Sequence, residues 1–557
     1  MKLFEKNWGL VLIIVISLVP LISLTHPGLP LTHDGQDHVA RITNFYQSLS
    51  EGNIIPRWAG NLNWGYGHPI LMFLYPLPSY AASLLHLIGF SFVDSIKVVF
   101  AGAFILSGVA MYLWLKEFLG EAPAAAGSIL YNFASYRFVD LYVRGAIGEH
   151  VAFIFPPLIL FCLLKMSKAP PPGRGDIHPG GVRSVWMIGG SLSVAGLLLS
   201  HNALAIMFAP FSIYYAAYLV WNSKKRKLLT INYSLLTTLG LGLSAFFLLP
   251  AFMEGKYTLR DIVTENVALT RFVELKNLIS SPWNYGQSGE FSVALGLLTW
   301  ISFLACPFVV YKLLKTKKDP LIFLGAVAFF VLSIFIMLPQ SRFIWETITT
   351  LQKFQFPWRF LSLTVFTGAI LGAFFVSLIN NKKIQTSIVV IAVIFVLFTT
   401  YGSWEPKDYL LKQESFYSGI YNGTTDTGES SPIWSVRFME KRADSESRVI
   451  AGSANIQILE RTSTKHTYEI TADFRSRILE NTLYFPGWKV YIDGKENKGV
   501  QFQDPTYRGL MTYFVPTGKH RVDISFEDTL LRQISNYISL ISLGVLGGLG
   551  ILGLRKT

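Results

Sequence analysis

The sequence predicts an α-helical polytopic membrane protein of about 12 crossings with a C-terminal, extracytoplasmic, β-sandwich-like domain. Three observations lead to this fold class. Apolar runs long enough to cross a bilayer recur through most of the 557 residues, of which 51% are hydrophobic and 15% charged. Lys and Arg fall in short clusters between these runs. Only the stretch between about residues 402 and 530 has the length and polarity of a soluble domain.

These patterns divide the chain into three segments. Residues 1–402 are expected to form the multi-spanning domain, whose first outer loop covers 26–67. Residues 403–530 are expected to form the extracytoplasmic β domain, because segments of alternating polarity are separated there by turn residues, including Asp493-Gly494, a strong hairpin signal. Residues 531–557 are expected to form a last transmembrane helix.

The basic clusters predict the orientation, since cytoplasmic loops carry an excess of Lys and Arg. Both termini are expected in the cytoplasm, and the loops between the clusters are expected outside the cell membrane. The clusters are Lys2 and Lys6; Lys165, Lys168, Arg174 and Arg183; residues 224–227; Lys312, Lys315, Lys317 and Lys318; Lys382 and Lys383; and Arg555 and Lys556. The formal charge of +13 is therefore assigned to topology, and no nucleic-acid partner is expected.

Three apolar runs, near 69–90, 94–115 and 122–136, lie between two segments that are both predicted outside. An odd number of crossings cannot join two points on one side, so one run is expected to be re-entrant or to lie flat. The run that begins at Trp8 lacks a small-residue cleavage site and is expected to remain as an uncleaved helix.

The stretch THDGQDHVAR, residues 32–41, holds two acids and two histidines directly after the first apolar run. If a helix begins here, His33 and Asp37 share one face and Asp34 and His38 share another, because residues four apart are neighbours. These four side chains could then bind a divalent cation. The alternative is that Asp34 caps the helix and the others are solvated. The motif alone leaves both interpretations open.

The rest of the first outer loop is rich in aromatic residues. IPRWAGNLNWGYGHPILMFLYPLP places Arg57, Trp58, Trp64, Tyr66 and His68 among glycines and prolines. An aromatic belt at the membrane interface explains this composition, and stacking on a sugar ring explains it equally well. On the second interpretation, Arg57, Trp58 and Tyr66 are substrate-binding residues.

Ionisable residues also adjoin later apolar runs. DLYVRGAIGEHVAF contains Asp140, Arg144, Glu149 and His150. Such groups are costly against a membrane segment and by default indicate a functional site. The alternative is a structural ion pair, but such a pair needs two residues and four are present.

Two further candidates stand alone. His201 lies in a turn between two apolar runs, where a single histidine is more often structural. Arg359, in KFQFPWRFLSL, lies just inside the end of an apolar run. A snorkelling side chain explains this position, and so does bidentate binding of a phosphate. Arg144, His201 and Arg359 complete the predicted substrate-binding residues.

Taken in order, these motifs resemble a known group of proteins. HD and DH in the first outer loop, PRW, YVRGA, SHN, FPWRF and the C-terminal FPGWKVYIDGK resemble YfhO-type proteins and the bacterial and archaeal membrane proteins related to 6-pyruvoyl-tetrahydropterin synthase. The resemblance covers nearly the whole chain, and its specificity comes from the order of the motifs. It implies a GT-C-like fold, that of multi-spanning glycosyltransferases that use polyprenyl-phosphate-linked sugars outside the cytoplasm. Pterin chemistry is not expected, because the H-x-H zinc pair of the soluble synthase is absent from the sequence.

The resemblance also implies roles and partners. Asp34 is implied as base or metal ligand, Glu149 as the second catalytic acid, and Arg359 as a residue near the lipid phosphate. The expected partners are a polyprenyl-phosphate-linked sugar, a cell-envelope glycan or glycolipid acceptor and the lipid bilayer, and a divalent cation is the one cofactor considered. Two other functions stay open. A lipid or polysaccharide transporter predicts inverted repeats and charges near mid-membrane, and a non-catalytic envelope assembly factor would tolerate loss of Asp34.

Overall fold

The computed structural model describes residues 7–169, 181–286 and 290–554. It contains a bundle of α-helices, a β-sandwich near the C-terminus and a last helix. The predicted fold class is therefore confirmed. Several residues of the basic clusters lie outside the described residues, namely Lys2, Lys6, Arg174, Arg555 and Lys556.

The helices fall into three groups along the chain. Before the first gap they are α1 (Trp8–Leu18), α2 (Gly35–Ser50), α3 (Leu77–Leu87), α4 (Phe92–Leu119), α5 (Glu121–Asn132), α6 (Ser135–Phe138), α7 (Ile147–Ala152) and α8 (Phe155–Lys168). Between the gaps they are α9 (Gly181–Ser200), α10 (Asn202–Trp221), α11 (Arg226–Leu243), α12 (Ala245–Met253), α13 (Arg260–Val263) and α14 (Leu275–Ile279). After the second gap they are α15 (Leu297–Leu304), α16 (Cys306–Lys315), α17 (Leu321–Met337), α18 (Arg342–Thr347), α19 (Leu361–Ser377), α20 (Lys382–Thr400), α21 (Glu414–Ser418) and α22 (Leu530–Leu554).

Within the described residues, 8 helical segments are long and apolar enough to cross a membrane. The number rises to 11 if each of three bent helix pairs counts as one span. These pairs are α11 with α12, α15 with α16, and α17 with the segment that contains α18, bent by 69°, 44° and 87°. The predicted number of about 12 crossings lies above this range.

Two of the three early apolar runs form helices that are too short to cross alone, but after α5 the chain continues through α6 and residues 139–144 and meets the first loop again. That one of the three runs does not cross stays a prediction. α4 has 28 residues, but α3 has 11 and α5 has 12. At ~1.5 Å per residue, both short helices fall well below a hydrocarbon core of ~30 Å. α5 packs between α4 and α19, so protein shields its backbone. α3 instead exposes Leu84, Leu87 and Ile88 on the outside of the bundle.

The C-terminal sandwich consists of two antiparallel sheets, with strand orders β4-β5-β10-β7-β8 and β3-β6-β9. A separate pair, β1 and β2, lies outside it. The strands are β1 (Leu29–Pro30), β2 (Tyr409–Leu410), β3 (Ser447–Ala451), β4 (Ala454–Arg461), β5 (Lys465–Ala472), β6 (Ser476–Leu483), β7 (Trp488–Ile492), β8 (Lys495–Glu496), β9 (Leu510–Val515) and β10 (Gly518–Phe526). The predicted hairpin at Asp493-Gly494 joins β7 to β8, and both residues have positive φ, 49° and 77°, as a two-residue type I′ turn requires.

Residues 403–446, predicted as part of the β domain, do not belong to the sandwich. We call this segment the strap. Its strand β2 pairs with β1 of the first loop (residues 26–67). Farther along, the carbonyls of Gly423 and Tyr421 accept hydrogen bonds from the backbone of Asn63 and Trp64 at 2.8 and 2.9 Å. The sandwich therefore begins at β3. The strap holds the first loop beneath the sandwich.

One buried arginine joins the sandwich to the helices. Arg532, near the start of α22, is fully buried, and its guanidinium lies 2.8 Å from the Glu254 carboxylate at the end of α12. It also donates hydrogen bonds to the carbonyls of Pro486, just before β7, and Glu527, just after β10, at 2.6 and 3.3 Å. The guanidinium of Arg532 therefore joins helix α12, the sandwich and the terminal helix α22.

We expect Arg532→Met to lower the free energy of unfolding by about 3–5 kcal/mol, because it leaves the buried Glu254 carboxylate without a cation. The measurement is thermal unfolding of the purified protein in detergent. Arg521→Met is the matched control, since it removes an exposed contact with Asp523 and should leave the midpoint nearly unchanged. Equal shifts for the two variants would contradict a joining role for Arg532.

Candidate functional site

Arg144 lies at the centre of a buried cluster of charged side chains. It ends a π-helical turn, Val139–Arg144, and Gly145, with φ of +67°, then turns the chain into α7. This reversal brings two carboxylates to one guanidinium. Nη1 of Arg144 lies 2.7 Å from Oδ1 of Asp140 and 2.7 Å from Oε2 of Glu149, and both acidic side chains are fully buried.

The second oxygen of Glu149 is also occupied. Its Oε1 accepts hydrogen bonds from the hydroxyls of Tyr136 at 2.6 Å and of Ser362 in α19 at 2.7 Å. The Arg144 guanidinium meanwhile lies over the ring of Trp358, 4.6 Å from its centroid. The structure thus places Glu149, predicted as a catalytic acid, where it positions Arg144 and ties the π turn to α19.

A second arginine, which the sequence reasoning missed, lies beside this cluster. Arg137 is fully buried, donates to Oγ of Ser107 at 2.8 Å and packs over the ring of Phe153 at 4.0 Å. His150, also buried, lies 3.6 Å from the free Oδ2 of Asp140. An arginine between aromatic residues in ASYRFVD was the available signal.

The first loop lies directly on the cluster. The backbone N–H groups of His33 and Asp34 donate to the carbonyls of Val143 and Arg144 at 3.0 and 2.9 Å. Gly145 permits this approach, because a Cβ there would lie 2.2 Å from Oγ1 of Thr32. Asp34 is therefore held against Arg144 by its backbone, while its side chain is exposed.

Asp34 occupies the N-cap position of α2 without acting as a cap. The helix begins at Gly35, but the Asp34 carboxylate accepts no hydrogen bond from the first turn. Nor does any other hydrogen bond or ion pair reach this carboxylate from residues 7–169, 181–286 and 290–554. The helix-cap interpretation of Asp34 therefore loses its support.

The other three predicted metal ligands are engaged elsewhere. His38 is buried and its Nδ1 accepts from Nη1 of Arg41 at 2.9 Å. Burial, and then the charge of Arg41, hold its pKa well below the usual value, so the ring is neutral. Asp37, whose pKa is raised by burial, accepts from the hydroxyl of Tyr421 in the strap at 2.9 Å. His33 is exposed and lies 3.4 Å from a backbone carbonyl.

These side chains do not form a ready-made cation site. In the part of the chain that the structure describes, no three His, Cys, Asp or Glu side chains are placed to hold one metal ion. Asp37 and His38 lie in the first turn of α2, whereas His33 and Asp34 precede it, and the four side chains do not converge on one point. A divalent cation stays a prediction.

Arg359 carries a charge that no carboxylate neutralises directly. It lies half-buried in the turn before α19, donates from Nη1 to the Phe354 carbonyl at 2.8 Å and packs over the ring of Phe356 at 5.0 Å. Its Nε has no hydrogen-bond partner. Among the described residues, no acidic oxygen lies within ion-pair distance of this guanidinium. It differs in this respect from Arg144, whose charge two carboxylates share.

Tyr75 brings the exposed and the buried parts of the site together. Burial raises the pKa of its hydroxyl to about 12, and the charges of Asp34, Arg359 and Arg144 all act on it. The ring of His201 lies 5.2 Å from the Tyr75 ring, while its Nδ1 accepts from the backbone of α10 as a helix cap. The charges of Asp34, Arg144 and Arg359 therefore act on one tyrosine, and the ring of His201 packs beside it.

The strap adds a carboxylate that the sequence reasoning missed. Oε2 of Glu429 accepts from Nε2 of Gln355 at 2.6 Å. Burial raises the pKa of Glu429, and the nearby Asp426 raises it further, although Arg260 and Arg359 act in the opposite direction. No periodicity in the strap sequence indicated this position.

Two predicted substrate-binding residues have packing roles instead. Trp58 is 1% exposed and packs edge-on against Trp488 of the sandwich, with ring centroids 5.4 Å apart. Arg57 is 6% exposed, and its Nε lies 3.0 Å from Asp528 just before α22. Tyr66 is less buried than both, and it lines a cleft beneath the sandwich whose wall also includes Trp58.

Comparison with known proteins gives limited sequence similarity. No family model matches the chain. An uncharacterized protein of Lactococcus lactis subsp. cremoris (strain MG1363) is 26% identical over 230 residues, which cover 39% of this chain and 35% of that protein. The chain therefore spans about a third of the length of this curated relative.

Several solved structures are similar in overall arrangement. They include the archaeal oligosaccharyltransferase AglB from Archaeoglobus fulgidus, in complex with an inhibitory peptide and a dolichol-phosphate (14% identity, TM-score 0.47, 75% of this chain and 56% of that one). ArnT from Cupriavidus metallidurans, bound to undecaprenyl phosphate, has 13% identity and a TM-score of 0.41 over 73% of this chain and 67% of its own. The arabinofuranosyltransferase AftD from Mycobacteria has 12% identity and a TM-score of 0.41 over 72% and 27%. These similarities assign no role to any residue of this chain.

Replacing Arg144 by Met should destabilise the protein by about 3–5 kcal/mol, because two buried carboxylates lose their cation. Adding Glu149→Gln should recover part of this loss, since the amide removes one of the two unpaired charges. Thermal unfolding of the wild type, R144M, E149Q and the double variant in detergent measures the coupling between the two positions. Additive losses would contradict a shared ion cluster.

Proposed function

We propose that this protein is a membrane glycosyltransferase that moves a sugar from a polyprenyl-phosphate donor to an extracytoplasmic cell-envelope acceptor. The observation that carries the proposal is the exposed carboxylate of Asp34, to which no side chain of residues 7–169, 181–286 and 290–554 donates a hydrogen bond. The backbone of Asp34 holds this carboxylate against Arg144. Arg359, which no acidic oxygen of the described residues approaches within ion-pair distance, acts electrostatically on Tyr75, as Asp34 does. A general base and a cation for the phosphate are the two groups that such a transfer needs.

The proposed reaction is a direct displacement. The acceptor hydroxyl oxygen bonds to the anomeric carbon, the bond between that carbon and the phosphate oxygen breaks, and the phosphate leaves with the electron pair. Asp34 accepts the proton of the hydroxyl. Arg359 faces the charge that develops on the phosphate, where a guanidinium binds two oxygens at once. This geometry inverts the configuration at the anomeric carbon.

The buried cluster supports the reaction indirectly. Because Asp140 and Glu149 share the Arg144 guanidinium, that residue's backbone carbonyl is fixed, and it accepts the hydrogen bond from the Asp34 backbone. A carboxylate held in place before the substrate arrives needs no reorganisation during the reaction. The motif order that resembles YfhO-type proteins supports the same class of activity and the same role for Asp34.

Asp34→Asn should lower transfer by about 10²–10⁴-fold, because the amide cannot accept the hydroxyl proton. The variant should fold normally, since among the described residues the Asp34 carboxylate makes no hydrogen bond or ion pair that the substitution would remove. The measurement is sugar transfer or hydrolysis by purified protein with a panel of polyprenyl-phosphate sugars, with and without a divalent cation.

Asp94→Asn is the matched control for this assay. Asp94 is an exposed aspartate in the first turn of α4 and should be replaceable without loss of transfer. A fully active Asp34→Asn variant would exclude the proposed base. If the wild type used none of the donors, a transport or assembly function would become the better explanation.

We further propose that both termini lie in the cytoplasm and that the sandwich lies outside the cell membrane. The native Cys162 and Cys306 are 4% and 7% exposed, so one introduced cysteine can be labelled with little background. Phe474→Cys, at a sandwich position that is 68% exposed, should react with a membrane-impermeant maleimide in intact cells. Lys225→Cys, in the exposed 224–227 loop, should react only after lysis. The reverse pattern would contradict this orientation.

A further inference from the structure

We infer that a cleft between the first loop and the sandwich binds one sugar unit of a glycan chain. Under the proposed function, on which this identification rests, the glycan is the acceptor, and the cleft holds it at a distance from Asp34. The inference comes from the size of the cleft, the chemistry of its walls, one unpartnered tyrosine and the position of α2.

The cleft has a volume of about 190 Å³ and is bounded by three separate parts of the chain. The first loop, the strap and the sandwich all contribute to its walls. Its lining includes Gln47, Asn61, Tyr66, Glu446, Arg461 and Thr482. The space equals that of about six water molecules at ~30 Å³ each, which one sugar ring and its hydroxyls would fill.

The polar side chains of the cleft are held in place before any ligand arrives. Nδ2 of Asn61 donates to Oε1 of Gln47 at 2.8 Å, which orients both amides. Arg461 is fixed between two carboxylates, 3.2 Å from Glu446 and 2.9 Å from the fully buried Glu480. Amide, guanidinium and carboxylate groups together supply donors and acceptors in fixed planes, which suits a ligand that carries several hydroxyls.

Tyr66 provides a surface for the apolar face of a sugar ring. It lies in the turn NWGYG, where Gly65 and Gly67 have φ of 83° and 78°, and where Trp64 itself has φ of 61°. The hydroxyl of Tyr66 makes no hydrogen bond, and its ring stacks on no other ring, within the described ranges of the chain. A partly exposed aromatic ring that lines a cleft and has an unpartnered polar tip is the kind of group that binds amphipathic ligands.

Helix α2 connects the cleft to the proposed catalytic base. Asp34 directly precedes the helix, and Gln47 lies in its last turn. At ~1.5 Å per residue, these two positions are about 20 Å apart along the helix axis. One sugar ring cannot reach both places, so a ligand that occupies both must be a chain of several sugars. The cleft therefore favours a polymeric acceptor over a monosaccharide.

The first test is binding by the full-length protein in detergent to an array of mono- to octasaccharides of glucose, galactose, mannose, rhamnose and N-acetylglucosamine. We expect the wild type to bind at least one of these glycans. Tyr66→Ala and Gln47→Ala should each weaken that binding about tenfold, through loss of ring stacking and of one hydrogen-bonding group. Gln47 lies on the surface of a helix, so its variant should fold normally even if Tyr66→Ala does not.

Tyr507→Ala is the matched control for binding, because Tyr507 is a half-buried tyrosine of the C-terminal domain that does not line the cleft. It should bind glycans as the wild type does. A wild type that binds no glycan of the array, or that binds peptides or lipid headgroups instead, would overturn the inference. Equal binding by the wild type and the Gln47→Ala variant would overturn it as well.

The second test separates the cleft from the catalytic site. Asp34→Asn should bind glycans as tightly as the wild type while transferring sugar about 10²–10⁴-fold more slowly. Tyr66→Ala should lose transfer to an octasaccharide and keep transfer to a disaccharide, because only the longer chain reaches the cleft. If the wild type bound glycans but transferred no sugar, the proposed function would be refuted, while the inference that the cleft binds a glycan would stand. Equal losses with both acceptors would contradict a distant acceptor site.

Discussion

The sharing of one guanidinium by two buried carboxylates is the interaction on which the rest of the site depends. A charge inside a helical bundle is strongly destabilising unless an opposite charge and hydrogen bonds compensate it. Arg144, Asp140 and Glu149 meet this requirement only if the π turn, α7 and the start of α19 adopt one arrangement. The backbone of that turn then presents the carbonyls to which the first loop binds. A structural need inside the bundle thus fixes the position of an exposed carboxylate outside it.

The difference between Glu149 and Asp34 shows how environment separates the roles of two carboxylates. All hydrogen-bonding capacity of Glu149 faces Arg144, Tyr136 and Ser362, and its side chain is inaccessible. Asp34 is fixed through its backbone, and its exposed side chain makes no hydrogen bond or ion pair with the described residues. Under the proposed function, one acid builds the site and the other performs the chemistry.

The strap and the sandwich extend this arrangement away from the bundle. The strap covers α2 and supplies Tyr421 and Glu429 next to the first loop, while Arg532 ties the sandwich to α12 and α22. The carboxylate of Asp34 lies at the start of helix α2, and the cleft beneath the sandwich lies at the end of the same helix. Under the proposed function, such a layout suits the elongation or decoration of a polymer, since binding of the polymer and transfer of the sugar would take place at different positions.

The sequence by itself determined the features that depend on neighbouring residues. Hydrophobic runs gave the helical bundle, alternation of polarity gave most strands of the sandwich, the Asp493-Gly494 turn gave its hairpin, and the spacing of DLYVRGAIGEHVAF gave the group around Arg144. Only the tertiary structure decided that Arg57 packs against Asp528, that His38 binds Arg41 and that Glu429 adjoins the site. It also decided that residues 403–446 pair with the first loop. The physical reason is that local patterns encode backbone conformation and burial, whereas the partner of each polar side chain depends on contacts between segments far apart in the chain.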